Sequence, residues 1–175
     1  MIARIVILGI ALIALLAGAA LYYFQVYGYY EDVTDQVNDV QLVSVVTGEP
    51  EGILFDNLTA IDSNSSPLRF RSCFTTGLSQ ALLTETYRVV ENAEPRVAPP
   101  WFACFDAAQI GADLVTGTAF AFLGQENIQY GIDRVIAVYP DGRAYAWHQI
   151  NFCGEVVYDG NPAPEDCPPA PESLQ

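Results

Sequence analysis

Hydrophobic and polar positions divide this chain into one unbroken apolar run and a long remainder of short alternating stretches. From Ile5 to Phe24 it reads IVILGIALIALLAGAALYYF, twenty positions without a charge. At about 1.5 Å per residue, a helix of that length is about 30 Å long, the thickness of a bilayer's hydrocarbon core. Eleven of the twenty are Leu, Ile, Val or Phe. At roughly −0.3 to −0.6 kcal/mol each, they favour insertion by roughly 3 to 7 kcal/mol. Residues 1–28 therefore read as a transmembrane anchor, with Ile5, Leu8, Leu12, Leu15, Leu16 and Leu21 in lipid and Tyr22, Tyr23 and Phe24 at the outer end. A cleaved signal peptide is the alternative: Arg4 supplies a basic start and Ala17-Gly18-Ala19 a processing site before Ala20. The apolar run continues past that site to Phe24, which favours the anchor. The small pair Ala14 and Gly18 suits close helix approach but reads as incidental on a lipid-facing helix.

Beyond the run, residues 29–39 read as a polar juxtamembrane spacer and residues 40–160 as a folded domain. Val40–Val46 is rich in β-branched residues and reads as a strand, followed by a turn at Thr47-Gly48-Glu49-Pro50. Ile53–Ala60 reads as a second strand or extended run, and Asp62–Pro67 as a loop. Leu68–Thr75 alternates, putting Leu68, Phe70 and Ser72 on one face and Arg69, Arg71 and Cys73 on the other. Leu78–Thr84 reads as a short helix capped by Ser79, and Ala107–Val115 as a helix capped by Asp106 and ended by Gly117. Three prolines keep residues 91–100 irregular. Thr118–Leu123 reads as a strand, and Ile132–Tyr139, Pro140-Asp141-Gly142 and Arg143–Ile150 as a hairpin. Glu155–Tyr158 reads as a last short strand, and residues 161–175 as a Pro-rich extended tail held by Cys167 alone. The expectation is an α+β domain: an antiparallel sheet of about five strands with one or two helices on one face.

Charge sharpens the picture. All 21 acidic residues and six of the seven basic ones lie beyond residue 30, leaving a net charge there of −15, the difference between six and 21. That field repels nucleic acid and anionic lipid surfaces and suits a basic partner or plain solubility. With Arg4 as the one base near the apolar run, the positive-inside rule puts the N-terminus in the cytoplasm and the domain outside; the Ala- and Arg-rich, Lys-free usage suits a high-GC bacterial genome, for which the expected place is the inner membrane with the domain in the periplasm. There Cys73, Cys104, Cys153 and Cys167 meet conditions in which disulfides form. Four cysteines allow three connectivities. Nearest-neighbour pairing favours Cys73–Cys104 and Cys153–Cys167, each contributing about 3 to 4 kcal/mol.

Candidate chemistry is sparse. His148, the single histidine, reads as a structural or surface residue rather than a general base, because no nucleophile or carboxylate stands at a readable spacing. Arg69 and Arg71 share a strand face and suit a carboxylate or phosphate, or pairing with local acids. Asp133 and Arg134 are sequence neighbours and point to opposite strand faces, so they make no single site. No metal-binding, phosphate-loop, nucleophile-elbow or haem-attachment motif is present, and neither a cofactor nor an enzymatic activity is expected.

The segments QVYGYYEDV, SSPLRFRSCFTT, WFACFDA, YGIDRVIAVYPDGRAYAWHQINFCGEVVYDG and PEDCPPAP give the chain its individuality. In them it resembles an uncharacterised alphaproteobacterial family of small single-pass membrane proteins, a domain of unknown function. The resemblance implies a bacterial, envelope-facing protein and carries over no catalytic or binding residue. The expected role is a non-catalytic accessory or scaffold subunit of an integral inner-membrane complex, a respiratory one in its most specific form. There the acidic domain would recruit a basic electron carrier such as a c-type cytochrome. The alternative is a free-standing periplasmic binding or sensing module with a pocket near Trp101 and Trp147.

Overall fold

Apolar residues without a helix breaker coil from the start of the chain. Helix α1 spans Ile2–Tyr23 in the computed structural model, which describes residues 2–174. Its last turn widens into a π-turn over Phe24–Gly28. The stretch Ile2–Gly28 is long and apolar enough to serve as a membrane anchor or a signal sequence, and none of it is buried against the rest of the chain.

The domain is built on a six-stranded antiparallel sheet, with a two-stranded ribbon beside it. The strands are β1 (Glu31–Asp32), β2 (Val40–Val43), β3 (Pro50–Ile53), β4 (Asp56–Asp62), β5 (Arg71–Thr75), β6 (Phe120–Gln129), β7 (Ile132–Val138) and β8 (Arg143–Ile150). Their order in the large sheet is β1-β4-β5-β8-β7-β6, and β2 pairs with β3 in the ribbon. The β7–β8 hairpin forms as its turn residues require. Gly142 sits at φ +86°, and a Cβ there would fall 2.5 Å from the Thr76 carbonyl oxygen, so both conformation and space demand glycine.

Period-two alternation gives this sheet two buried faces. Phe70, Phe74, Ile136, Val138, Ala144 and Ala146 form one, covered by Val40, Leu42 and Ile53 of the ribbon and by Leu83 of helix α2 (Gln80–Thr86). Cys73, Ala121, Val135, Ala137 and Trp147 form the other, covered by Phe105 and by Ile110 of helix α3 (Ala107–Thr116). The α+β class holds, but its helices lie on both faces rather than one. Both caps are as expected: the side chains of Ser79 and Asp106 accept from the N–H groups of Leu82 and Gln109, and Gly117 ends α3 in the left-handed region.

Several expectations are corrected. The strand expected over Val40–Val46 stops at Val43, and Ile53–Ala60 divides between β3 and β4. Within the spacer, Glu31 and Asp32 pair with Asp62 and Ile61 as an edge strand that begins three residues after Gly28. Leu68–Thr75 is not one strand: a 3-10 turn occupies Pro67–Arg69 and β5 begins at Arg71. Glu155–Tyr158 is not a strand but part of helix α4 (Phe152–Tyr158). Its β-branched pair Val156-Val157 suggested β structure, yet Asn151 caps the N-terminus by accepting from the Gly154 N–H at 3.0 Å. The helix start also needs Gly131 and Gly154, whose backbones meet so closely that a Cβ on Gly131 would lie 2.3 Å from the Gly154 Cα.

The disulfides pair Cys73 with Cys104 and Cys153 with Cys167. One ties the cover of the second face to β5; the other ties the tail to α4. The tail has more than Cys167 to hold it: the Tyr130 hydroxyl donates to the Pro168 carbonyl at 2.9 Å, and Pro171 lines a groove together with Tyr130 and Tyr158.

Candidate functional site

The most built-up polar feature is a cleft of about 480 Å³ at one end of the first sheet face. Four stretches far apart in sequence wall it: Glu31 and Val33 after α1, the Asp62–Pro67 loop, Ile128 and Gln129 of β6, and the cross-strand pair Arg134 and His148. The β7–β8 register makes the last two direct neighbours, with Arg134 opposite His148.

His148 is 5% exposed and uses both ring nitrogens. Its Nδ1 lies 2.6 Å from the Pro67 carbonyl oxygen. A carbonyl only accepts, so Nδ1 carries the proton and Nε2 is left with a lone pair. That lone pair accepts from Arg134 Nε at 3.1 Å. Burial, reinforced by the neighbouring Arg134 charge, holds the imidazole down to about 4 despite the Pro67 contact. His148 is therefore neutral at physiological pH with no free lone pair, which removes it as a general base. Its role is to orient Arg134.

Phe70 completes the support. The His148 ring stacks on it at 4.8 Å with 19° between planes, and the Arg134 guanidinium carbon lies 4.3 Å from its centroid. Arg134 lines the cleft with Nε committed to His148, and among the described residues its two terminal guanidinium nitrogens meet no hydrogen-bond acceptor. Across the cleft, the Asp62 carboxylate accepts from the Ser63 N–H at 2.7 Å, and the Ser63 and Ser65 hydroxyls share a 2.8 Å hydrogen bond. Asp62 and Arg134 act on each other electrostatically but form no ion pair within 4 Å. Burial raises the Asp62 carboxyl above its usual range, with Ser63 and Arg134 opposing. It likewise lowers the Arg134 guanidinium. The arrangement suits recognition of a small polar ligand.

The other candidate residues are dispersed. Asp133 points away from Arg134, accepting from the Asn127 N–H at 2.9 Å and the Asn151 side-chain amide at 2.7 Å. Arg69 and Arg71 do not share a strand face. Arg69 lies in the 3-10 turn, 5.4 Å over the Tyr30 ring. Arg71 enters the core at 3% exposure and donates to the carbonyls of Leu68, Phe70, Arg96 and Val97 rather than to an acid. Trp147 is fully buried against Phe105, while Trp101 lies at the end of the apolar helix. Neither tryptophan lines the cleft.

Trp101 defines a second feature. Its indole N–H donates to the Val26 carbonyl at 2.7 Å, its ring stacks on Tyr27 at 6.4 Å, and Tyr30 meets it edge-on at 6.0 Å. The last turn of a helix leaves its backbone carbonyls without intrahelical partners, and Trp101 takes one of them. The domain is thus seated directly on the helix end.

No curated protein and no solved structure matches this chain. A family model does, over residues 40–168, which cover every strand of the domain but β1 and all of its α-helices. The chain belongs to that family, a family of unknown function designated DUF6446.

Proposed function

We propose that this protein is a non-catalytic accessory or scaffold subunit of a larger inner-membrane complex, anchored by α1 with its N-terminus in the cytoplasm and its domain in the periplasm. The observation that carries the reading is the seat at the helix end, where Trp101 bonds to Val26 and β1 joins the sheet three residues after Gly28. A free-standing capture module gains reach from a flexible linker. A subunit that meets a membrane-embedded neighbour gains from a fixed height and heading, because less freedom is lost on association. The disulfides support the extracytoplasmic side, and the lone Arg4 before the apolar run supports the orientation.

In its most specific form the complex is respiratory, and the acidic domain concentrates a basic electron carrier such as a c-type cytochrome near its docking site. The test is gentle detergent extraction of native membranes, native-gel separation and mass spectrometry of the band containing this chain. Co-migration with a large assembly at fixed stoichiometry is the expected result. Migration alone would overturn the subunit reading in favour of a binding module, which the Arg134–Asp62 cleft favours as the second reading.

A further inference from the structure

The cleft lies beside the seat. Glu31, one of its walls, is three residues past Gly28 and so at most about 11 Å from it along the chain. Tyr30, the residue before Glu31, and Trp101, which meets it edge-on, belong to the residue types that settle in the headgroup layer. That layer is roughly 5 to 8 Å deep on each side of the hydrocarbon core. With α1 in the membrane, the cleft stands close to the headgroup layer, within reach of a lipid headgroup.

Its chemistry narrows the ligand. The two free ends of the Arg134 fork suit a phosphate or carboxylate, which a planar guanidinium grips through two parallel bonds. Asp62 and Glu31 face them with negative charge and suit an ammonium. A ligand with net negative charge would have to enter against the acidic domain, whereas a zwitterion of zero net charge would not.

We propose that this cleft binds the phosphoethanolamine headgroup of a zwitterionic phospholipid, with the phosphate on Arg134 and the ammonium on Asp62 and Glu31. His148 and Phe70 are positioning residues that hold the guanidinium fork toward the lipid. The shared chemistry is a compact ammonium–phosphate zwitterion, and the depth of the cleft assigns its source to the bilayer. The inference rests on the anchored reading above but not on any partner complex.

The test uses the full chain reconstituted in vesicles containing equal amounts of phosphatidylethanolamine and phosphatidylglycerol. Flotation after alkaline washing comes first: a chain that does not float overturns the anchor itself. For the floating protein, native mass spectrometry counts the lipids retained. The expected result is retention of phosphatidylethanolamine over phosphatidylglycerol by about tenfold, the worth of one charge-assisted hydrogen bond. Asp62→Asn and Arg134→Gln should bring the ratio near one, while Glu85→Gln, on the exposed side of α2, keeps it. Equal retention by the wild type, or an unchanged preference in a folded Asp62→Asn protein, would overturn the proposal. If Arg134→Gln fails to fold, Asp62→Asn carries the test. A soluble arm separates the sources: soluble glycerophosphoethanolamine should displace the retained lipid. A thermal shift with glycine and no lipid preference would overturn the lipid assignment in favour of a soluble amino acid.

Discussion

Arg134 Nε and His148 Nε2 lie 3.1 Å apart, and the donor is the arginine. A histidine in this position loses its acceptor role as soon as it is protonated, and it then sets a second cation against the guanidinium. The ring is held down to about 4 from an ordinary 6.5, so it binds a proton more readily in the unfolded chain. The stability it contributes is complete above about pH 6.5 and is lost as pH falls toward 4, a total of about 3 kcal/mol. Asp62 and Asp133, raised by burial, act in the opposite sense over the acid range. Comparison with His148→Gln isolates the histidine. The wild type should lose stability relative to the variant between pH 6.5 and 4 in urea titrations, and parallel profiles would refute the assignment.

Arg71 predicts a purely structural loss. Its guanidinium, pushed down to about 10 by burial and still charged at neutral pH, supplies hydrogen bonds to four carbonyls. Two of them, Arg96 and Val97, belong to a proline-interrupted stretch with no regular element of its own. Arg71→Met should cost about 4 kcal/mol by leaving these acceptors unserved, and Arg71→Lys should cost less. The urea midpoint measures both; equal losses would mean that side-chain volume, not donation, matters there.

The Gly131–Gly154 contact gives a sharper steric test. Gly131→Ala would place a methyl 2.3 Å from the Gly154 Cα on a residue at φ +74°. The expected cost is about 3 kcal/mol or more, with α4 displaced from the β6–β7 turn. Thermal unfolding of the oxidised protein reads it out. Val115→Ala, on the exposed side of α3, should change stability by about 0.5 kcal/mol or less.

The two tryptophans report depth separately. In vesicles doped with brominated lipid, Trp147→Phe leaves Trp101, whose emission should be quenched strongly. Trp101→Phe leaves Trp147, fully buried in the sheet, which should be quenched little. Equal quenching would place the domain otherwise.

Where local chemistry decides the structure, the chain could be read. Pro140-Asp141-Gly142 forces a hairpin, Asp106 and Gly117 bracket α3, and nearest-neighbour cysteines pair. Glu155–Tyr158 reads as a strand but lies in a helix, because β-branched propensity at Val156-Val157 is a weaker determinant than the Asn151 cap and a glycine contact with residue 131. Arg71 does not face as the alternation over Leu68–Thr75 expects, because the 3-10 turn takes in Leu68 and Arg69 and resets which side a residue faces. The cleft was not legible at all. Its walls come from four separated stretches, and Asp62, Ser63 and Ser65 look like ordinary loop residues until β4 brings them opposite Arg134. His148 and Arg134 stand out in the sequence, but their pairing, and the Pro67 carbonyl 81 residues from His148, appear only in the fold.

The seat of Trp101 on the π-turn has a rotational corollary. With bonded contacts across the junction between Val26 and Glu31, the helix and the sheet turn together like a key and its bow. One residue added within α1 would change the azimuth of the domain by about 100° about the helix axis at nearly the same height. Compass bearing, and not merely attachment, is therefore encoded in the length of the hydrophobic segment.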